Sequence, residues 1–313
     1  MLMARVSPRG HLEKPSAIAV PFILLIAIAL GYGLLVALAF ARFTPSQGAS
    51  AAAADALEDA ADGSGMPTWW QRRTDPQVLT GLALTAASAL LIAGGFVVTV
   101  LAYLVRGNSQ LRSLDSSAAQ WGSDHGTHLS TRLLTWVTDF GDLPLFALVG
   151  VVALVYELRR SPNRWIVPFV LVVVIGDKII TNVIKELADR ARPTLNPIAQ
   201  TLGPSFPSGH ASTAASFYAA LALVLARRRT PATRALLAGA AGGIAVAVAT
   251  SRVLLDVHWV SDVVAGLMLG WAWFALCAIA FGGRHMRFAE PVERAAAAGA
   301  AGASARPAPR AEV

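Results

Sequence analysis

The stretch FPSGHAS, residues 206–212, is a short polar sequence directly before an apolar segment. It lies in a chain of 313 residues that is 55% hydrophobic and only 14% charged, whereas soluble domains carry about 25% charged residues. The apolar residues form blocks, several of them long enough to cross a hydrocarbon core of roughly 30 Å. Because backbone groups in lipid must be hydrogen-bonded within their own segment, the sequence predicts an all-α polytopic membrane protein.

Seven apolar segments surround this stretch, and we predict six core helices with one extra N-terminal hydrophobic helix. The segments cover approximately residues 16–41, 77–105, 138–158, 165–187, 209–226, 235–251 and 259–282. The predicted organisation is an N-terminal tail with the extra helix (1–42), a flexible linker (43–76), a helical core (77–283) and a disordered cytoplasmic tail (284–313). The linker and the tail are predicted to be disordered because they contain little that could bury a core.

Two short basic loops predict the orientation of the core. They contain Arg159, Arg160 and Arg164, and Arg227, Arg228, Arg229 and Arg234. Such loops stay on the cytoplasmic side, so residues 106–137, 188–208 and 252–258 are predicted to share the outer face. The net charge of +7 is therefore interpreted as a topology signal, and no nucleic-acid partner is expected.

The N-terminal segment fits this orientation less well. Counting back along the helices places the N-terminus outside together with Arg5, Arg9 and Lys14, against the usual charge bias. Either this tail is translocated, or residues 16–41 do not span the membrane, or the sequence ALAFA marks a cleaved signal peptide. We favour an uncleaved helix that lies at the periphery of the six-helix core.

Three polar clusters fall on the predicted outer face, each at a helix end. Their sequences are KELADRARP (185–193), PSGH (207–210) and SRVLLDVHWVSD (251–262). If the first helix persists, Lys185 and Arg192 lie on one face about two turns apart. His258 and Asp262 have i, i+4 spacing, which places them one above the other on a helical face.

These residue types together predict chemistry on a phosphate group. Lys185, Arg192 and Arg252 are cations that suit phosphate oxygens, and Ser208 and Gly209 precede a helix whose free N–H groups can hold an anion. An imidazole backed by a carboxylate is the arrangement of a nucleophile or base. A second imidazole without such a partner can serve as general acid. The set predicts phosphoryl transfer through a phosphohistidine, with no metal and no cofactor.

The motifs K-x6-R-P, P-S-G-H and S-R-x5-H-x3-D, in that order, resemble those of the type 2 phosphatidic acid phosphatase (PAP2) superfamily. The resemblance covers roughly residues 77–282. It implies that His258 attacks phosphorus, that Asp262 fixes its tautomer, and that His210 protonates the leaving alcohol and then activates water. It also implies a set of phosphate-binding residues: Lys185, Arg192, Ser208, Gly209 and Arg252.

The expected protein is a multi-pass enzyme of the plasma membrane that hydrolyses a lipid phosphate or pyrophosphate at the outer, periplasmic face. The resemblance implies phosphatidic acid, phosphatidylglycerol phosphate or undecaprenyl pyrophosphate as substrate. A phosphotransferase that uses an acceptor alcohol or sugar is the nearest alternative. The two histidines argue against a non-enzymatic lipid carrier or channel, and the membrane segments argue against a haloperoxidase of the same superfamily.

Charged residues within or beside the apolar segments allow two further interpretations. A polar stripe with 4-3-4-3 spacing contains Lys178, Asn182, Lys185, Asp189 and Arg192. Either this stripe faces the bundle interior below the phosphate pocket, or Asp177 and Lys178 pair with neighbouring helices, which we favour. Asp139 and Asp142, in TDFGDLP, are interpreted as turn and helix-start residues.

Overall fold

The computed structural model describes residues 20–43, 76–193, 203–227 and 229–281, which form nine α-helices and no β-strand. The helices are α1 (Val20–Phe43), α2 (Pro76–Leu104), α3 (Ser109–His125), α4 (His128–Thr138), α5 (Leu143–Arg160), α6 (Ile166–Ala188), α7 (Gly209–Leu225), α8 (Pro231–Leu254) and α9 (Val260–Phe281). A short 3-10 helix, Asp139–Gly141, joins α4 to α5. The predicted linker and cytoplasmic tail lie outside the described residues.

All seven predicted apolar segments are helices. Five of the described helices are long and apolar enough to cross a membrane, and α4 with α5, bent by 53° at their junction, counts as a sixth if the pair forms one span. Helix α7 is apolar but shorter, with 17 residues. The predicted class, an all-α polytopic membrane protein with an extra N-terminal helix, is confirmed.

Helices α3 and α4 occupy the region that we predicted only as an outer segment. Helix α3 begins after Asn108, whose side chain accepts a hydrogen bond from the Leu111 N–H at 2.8 Å. Helix α4 begins with a capping box formed by Thr127 and Ser130. Helix α3 is largely polar and buries Asp115, which brings a carboxylate from this segment into the site.

Close packing of α7 on α9 depends on two glycines. A Cβ atom on Gly266 would lie 2.5 Å from the Ser208 carbonyl oxygen, and a Cβ atom on Gly270 would overlap the Ser212 carbonyl oxygen. Small residues let membrane helices approach to backbone contact. This approach brings the PSGH sequence at the start of α7 against the start of α9.

The extra N-terminal helix packs against α8 in the same manner. A Cβ atom on Gly33 would lie 2.8 Å from the Gly239 carbonyl oxygen, and one on Gly243 would lie 3.1 Å from the Ala29 carbonyl oxygen. The Tyr32 ring also stacks on Trp271 of α9, with centroids 5.8 Å apart. Helix α1 therefore packs on α8 and contacts α9, and its Leu25 joins a buried apolar cluster with Leu254, Leu255 and Val257 of the third polar cluster.

The two basic loops meet at one end of the bundle. Arg229 Nη2 lies 3.4 Å from Oε2 of Glu157, a side chain that is only 1% exposed. The Arg227 side chain donates a hydrogen bond to the Ser161 carbonyl oxygen at 3.4 Å. Because α6 and α8 end and α7 and α9 begin at the other end, the three polar clusters lie opposite the basic loops.

Candidate active site

Main-chain and side-chain hydrogen bonds bring the three polar clusters together. The Ser208 N–H donates to the Asp262 carbonyl oxygen at 2.9 Å, which joins the second cluster to the third. The Arg192 side chain donates to the Val257 carbonyl oxygen at 2.9 Å, which joins the first cluster to the third. Lys185 Nζ donates to the Pro204 carbonyl oxygen at 2.9 Å and so holds the loop that leads into PSGH.

The predicted helical relationships within two clusters are wrong in detail. Helix α6 ends at Ala188, and Asp189 follows in a left-handed conformation with φ 40°. Arg192 therefore returns to the site from a loop and does not share a helical face with Lys185. His258 likewise precedes α9, which begins at Val260, although His258 and Asp262 remain neighbours.

His258 has the orientation of a nitrogen nucleophile. Its side chain is only 2% exposed, and Nδ1 lies 3.5 Å from Oδ2 of Asp262. Nε2 lies 3.0 Å from Nη1 of Arg192. Because a guanidinium can only donate, Nε2 is the acceptor and Nδ1 carries the proton. The Nε2 lone pair of the imidazole therefore points toward Arg192, away from Asp262.

Burial lowers the pKa of the His258 imidazole to about 3, with Asp262 opposing this shift and Arg192 and Arg252 adding to it. Removal from water disfavours the charged form of an imidazole. His258 is therefore neutral near pH 7, as a nucleophile must be.

His210 is also paired with a carboxylate, contrary to our prediction that it lacks one. Its Nε2 lies 2.6 Å from Oδ1 of Asp142. Asp142 is the residue before α5, as predicted, yet its side chain makes no capping hydrogen bond. Gly141 packs beside the imidazole, since a Cβ atom there would lie 3.2 Å from Cδ2 of His210. The turn TDFGDLP thus holds the second histidine.

Asp262 is held by a network that sequence reasoning missed. This fully buried carboxylate accepts hydrogen bonds from Nη1 of Arg190 at 2.5 Å, from the Ser205 hydroxyl, and from the Trp259 N–H at 3.0 Å. Nη2 of Arg190 also donates to Oδ2 of Asp115 at 2.8 Å. A buried carboxylate needs such partners because it has lost its hydration.

Further contacts hold Asp115 and Arg190 in this network. The Ser261 N–H and hydroxyl donate to Asp115 at 3.0 and 2.6 Å, and Arg190 lies over the Trp259 ring with 5.5 Å from Cζ to the ring centroid. Arg190 is part of the sequence KELADRARP, but the motif spacing selects only Lys185 and Arg192. No local signal marked Asp115.

Two of the predicted phosphate-binding residues have unpaired buried donors. Among the described residues, Nε of Arg252 and Oγ of Ser208 have no hydrogen-bond partner although both atoms are buried. A buried donor without a partner is costly, and an anion beside it would remove that cost. A Cβ atom on Gly209 would meet Thr181 and Lys185 at ordinary distances of 3.8 and 3.9 Å. Space alone therefore does not require this glycine.

The three predicted cations lie close enough for their charges to interact. The positive charge of Lys185 is repelled by those of Arg192 and Arg252, and the charge of Arg252 disfavours protonation of both His210 and His258. This concentration of positive charge is typical of a site for an anionic group. Within the described ranges, no group of three or more His, Cys, Asp or Glu side chains is arranged to hold a metal ion.

The structure separates Asp177 from the polar stripe that begins at Lys178. Asp177 is 1% exposed and accepts hydrogen bonds from the hydroxyls of Ser212 at 2.5 Å and Thr213 at 3.0 Å on α7. Asp177 therefore pairs with a neighbouring helix, as we favoured. Lys178 does not, because its side chain is exposed and makes no ion pair with another described residue.

Comparison with known proteins gives a consistent result. The PAP2 superfamily model matches residues 165–286. The chain is 33% identical to phosphatidylglycerophosphatase B of Bacillus subtilis over 150 residues, which cover 46% of this chain and 71% of that protein. It is 34% identical to a lipid A 1-phosphatase of Rhizobium johnstonii over 36% of this chain and 46% of that protein. A lipid A 1-phosphatase of Rhizobium etli is 33% identical over 45% of this chain and 66% of that protein.

A solved structure shares the fold. The crystal structure of a transmembrane PAP2-type phosphatidylglycerolphosphate phosphatase from Bacillus subtilis superposes with a TM-score of 0.57 at 27% identity, covering 60% of this chain and 94% of that one. The apolar helices and the relatives, which are named as phosphatases, place the chain in the class of membrane lipid phosphatases. The chain belongs to the PAP2 superfamily. The predicted family and enzyme class, a lipid phosphatase, are confirmed.

Proposed function

We propose that this enzyme hydrolyses the phosphate or pyrophosphate group of a membrane lipid through a phosphohistidine on His258. The observation that carries the proposal is the orientation of His258, with Nδ1 toward Asp262 at 3.5 Å and Nε2 toward Arg192 at 3.0 Å. Asp262 can then stabilise the positive charge that the imidazole gains when Nε2 forms a bond. The relatives support a lipid substrate, since each is named for a phosphatase that acts on a lipid phosphate.

In the first step, the Nε2 lone pair of His258 attacks phosphorus and the bond from phosphorus to the lipid oxygen breaks. Protonated His210 donates its proton to the departing oxygen, so the lipid leaves as a neutral alcohol, or as a phosphate monoester if the substrate is a pyrophosphate. Lys185, Arg192 and Arg252 stabilise the charge on the phosphoryl oxygens as it redistributes. The product is a phosphohistidine, and His210 is now neutral.

In the second step, neutral His210 takes a proton from a water molecule, whose oxygen attacks phosphorus. The bond between phosphorus and Nε2 breaks, inorganic phosphate leaves, and both histidines return to their starting protonation. Asp142 orients His210 and stabilises its protonated form, since the two groups lie 2.6 Å apart. His210 is thus the general acid in the first step and the general base in the second.

We place the pocket at the outer face of the plasma membrane. It lies at the end of the bundle opposite the basic loops, which the charge bias assigns to the cytoplasm. Phosphatidic acid, phosphatidylglycerol phosphate and undecaprenyl pyrophosphate are the candidate substrates. The name of the Bacillus relative, phosphatidylglycerophosphatase B, favours phosphatidylglycerol phosphate among them.

The test is release of inorganic phosphate by the purified full-length chain from these three lipids, with and without EDTA. We expect His258→Ala to abolish release and His210→Ala to slow it by about 10²-fold or more. Arg112→Gln, which changes an exposed arginine, is the control. Acid-labile phosphate should be recovered on the wild-type protein but not on His258→Ala. Full activity of His258→Ala, or loss of wild-type activity in EDTA, would contradict the mechanism. Transfer of phosphate to an added alcohol in preference to water would indicate a phosphotransferase.

A further inference from the structure

One lysine of α6 is exposed where a membrane protein rarely places charge. Lys178 lies near the middle of α6, and its side chain is exposed. The neighbouring Ile175 and Ile179 are 53% and 59% exposed, as expected of a lipid-facing surface. In the part of the chain that the structure describes, Lys178 makes no hydrogen bond or ion pair. Asp142 and Asp177 are near enough to interact with this charge but not to form an ion pair with it, and because a charge at this depth is expensive without a direct partner, Lys178 can accept a further anionic group.

Lys178 is also close to the catalytic pocket. The positive charge of its ammonium group is near enough to attract the Asp142 carboxylate and to repel the charges of protonated His210 and Lys185. Asn182, also exposed, lies one turn further along α6 and Lys185 follows about one turn later. These three side chains form a polar edge that runs from the phosphate pocket roughly 10 Å into the membrane.

Helices α5 and α6 both present exposed apolar side chains, which suit a lipid. Helices α5 and α6 are joined by residues 161–165 at the basic-loop end and make few contacts with each other. Leu148 and Val152 of α5 are 61% and 62% exposed. An acyl chain can therefore lie along apolar side chains of α5 and α6 while its headgroup follows the polar edge of α6 to the pocket.

We propose that Lys178 binds a second anionic group of the substrate, a phosphodiester on the lipid side of the phosphate that is hydrolysed. This inference rests on the proposed function. A three-carbon glycerol unit separates the two phosphates and spans much of the distance from the pocket to Lys178. The long, flexible side chain of Lys178 can reach across the remaining distance to the second phosphate. Phosphatidic acid has no second phosphate. The two phosphates of a pyrophosphate share an oxygen, so both stay among Lys185, Arg192 and Arg252.

The test compares phosphatidylglycerol phosphate with phosphatidic acid as substrates of the full-length protein in mixed micelles. Lys178→Met should lower kcat/KM for phosphatidylglycerol phosphate by at least about tenfold, mainly through KM, and leave kcat/KM for phosphatidic acid within about twofold. Lys178→Arg keeps the charge and should restore the preference for the phosphodiester lipid. Val183→Met, at another lipid-facing position of α6 that is 53% exposed, is the matched control.

The outcomes separate the subsite from the proposed function. If wild-type protein is active and Lys178→Met lowers activity on both lipids equally, or on neither, the subsite is overturned and the phosphatase function stands. If wild-type protein releases phosphate from neither lipid, the proposed function falls and the subsite falls with it. Activity on phosphatidic acid alone overturns the subsite.

Discussion

The carboxylate of Asp142 lies 2.6 Å from Nε2 of His210, so each of the two histidines in the site has its own carboxylate. The two pairs differ in their access to water. The His258 and Asp262 side chains are 2% and 0% exposed, whereas those of His210 and Asp142 are 25% and 47% exposed. A proton carrier must exchange protons with water and a nucleophile need not, so the difference matches the two roles that we propose.

We predict that Asp142→Asn lowers kcat by about 10²-fold, because it removes the group that orients and charges the general acid. KM should change little, since Asp142 is an anion and does not hold the phosphate. Steady-state kinetics on a lipid phosphate measures both constants. Asp139→Asn, in the same turn, is the matched control and should retain activity. Equal losses in both variants would show that the turn matters only for structure.

Arg190 should be critical for stability. Arg190→Gln leaves Asp115 and Asp262 as buried carboxylates without their shared cation, at a cost of about 3–5 kcal/mol. Thermal unfolding in detergent should show a lower midpoint for this variant than for Arg112→Gln, a change on the exposed side of α3. Asp115→Asn added to Arg190→Gln should recover part of the loss, because it removes one uncompensated charge. A midpoint equal to that of Arg112→Gln would refute the argument.

Acid should destabilise the fold through His258. Its pKa is about 3 in the folded protein and near 6.5 when unperturbed, so the unfolded chain binds a proton that the folded chain does not. The associated stability is therefore complete above about pH 6.5 and is lost as the pH falls toward 3. Unfolding midpoints measured from pH 7 to pH 4 should fall less in His258→Gln than in wild type. His128→Gln, at an exposed histidine, should follow wild type, and parallel curves for all three proteins would contradict the prediction.

The contact between α7 and α9 should not tolerate a methyl group. Gly266→Ala places a Cβ atom 2.5 Å from the Ser208 carbonyl oxygen and 3.1 Å from Cβ of Ala211. The helices must separate, at a cost of about 1–3 kcal/mol, and activity should fall as PSGH moves from Asp262. Gly95→Ala, on α2, meets no atom within 4 Å and should leave both activity and the unfolding midpoint unchanged. Wild-type behaviour of both variants would show that the packing can relax.

The sequence predicted the membrane helices well because lipid imposes a strong local requirement. A helix that crosses the hydrocarbon core needs a long apolar run, and all seven such runs are helices. Helices α3 and α4 have no comparable signal, since α3 is largely polar and α4 is short and only partly apolar. Their caps at Asn108 and Thr127 are visible in the sequence only when a helix is already suspected.

The sequence predicted the residues of the candidate site that belong to the three motifs, but not most of the residues that hold them in place. Lys185, His210, Arg252 and His258 are named by local patterns, and the structure brings them together. The partners of these residues depend on tertiary packing. The carboxylate of Asp142 reaches His210 from the turn before α5, and Arg190 reaches Asp262 only because the chain leaves the helical path at Asp189. Neither relationship has a spacing that a sequence alone can reveal.

The hydrogen bond from the Ser208 N–H to the Asp262 carbonyl oxygen has a consequence for motion. Together with the glycine contacts it ties the start of α7 to the start of α9, and so ties His210 to the segment that contains His258. Asp142 belongs to the other side of the pocket, at the start of α5. The turn before α5 is tied to α7 by the hydrogen bond from the Tyr218 hydroxyl to the Phe140 carbonyl oxygen at 2.9 Å. A substitution that loosens this turn would therefore separate Asp142 from His210 while leaving the contact between Ser208 and Asp262 in place.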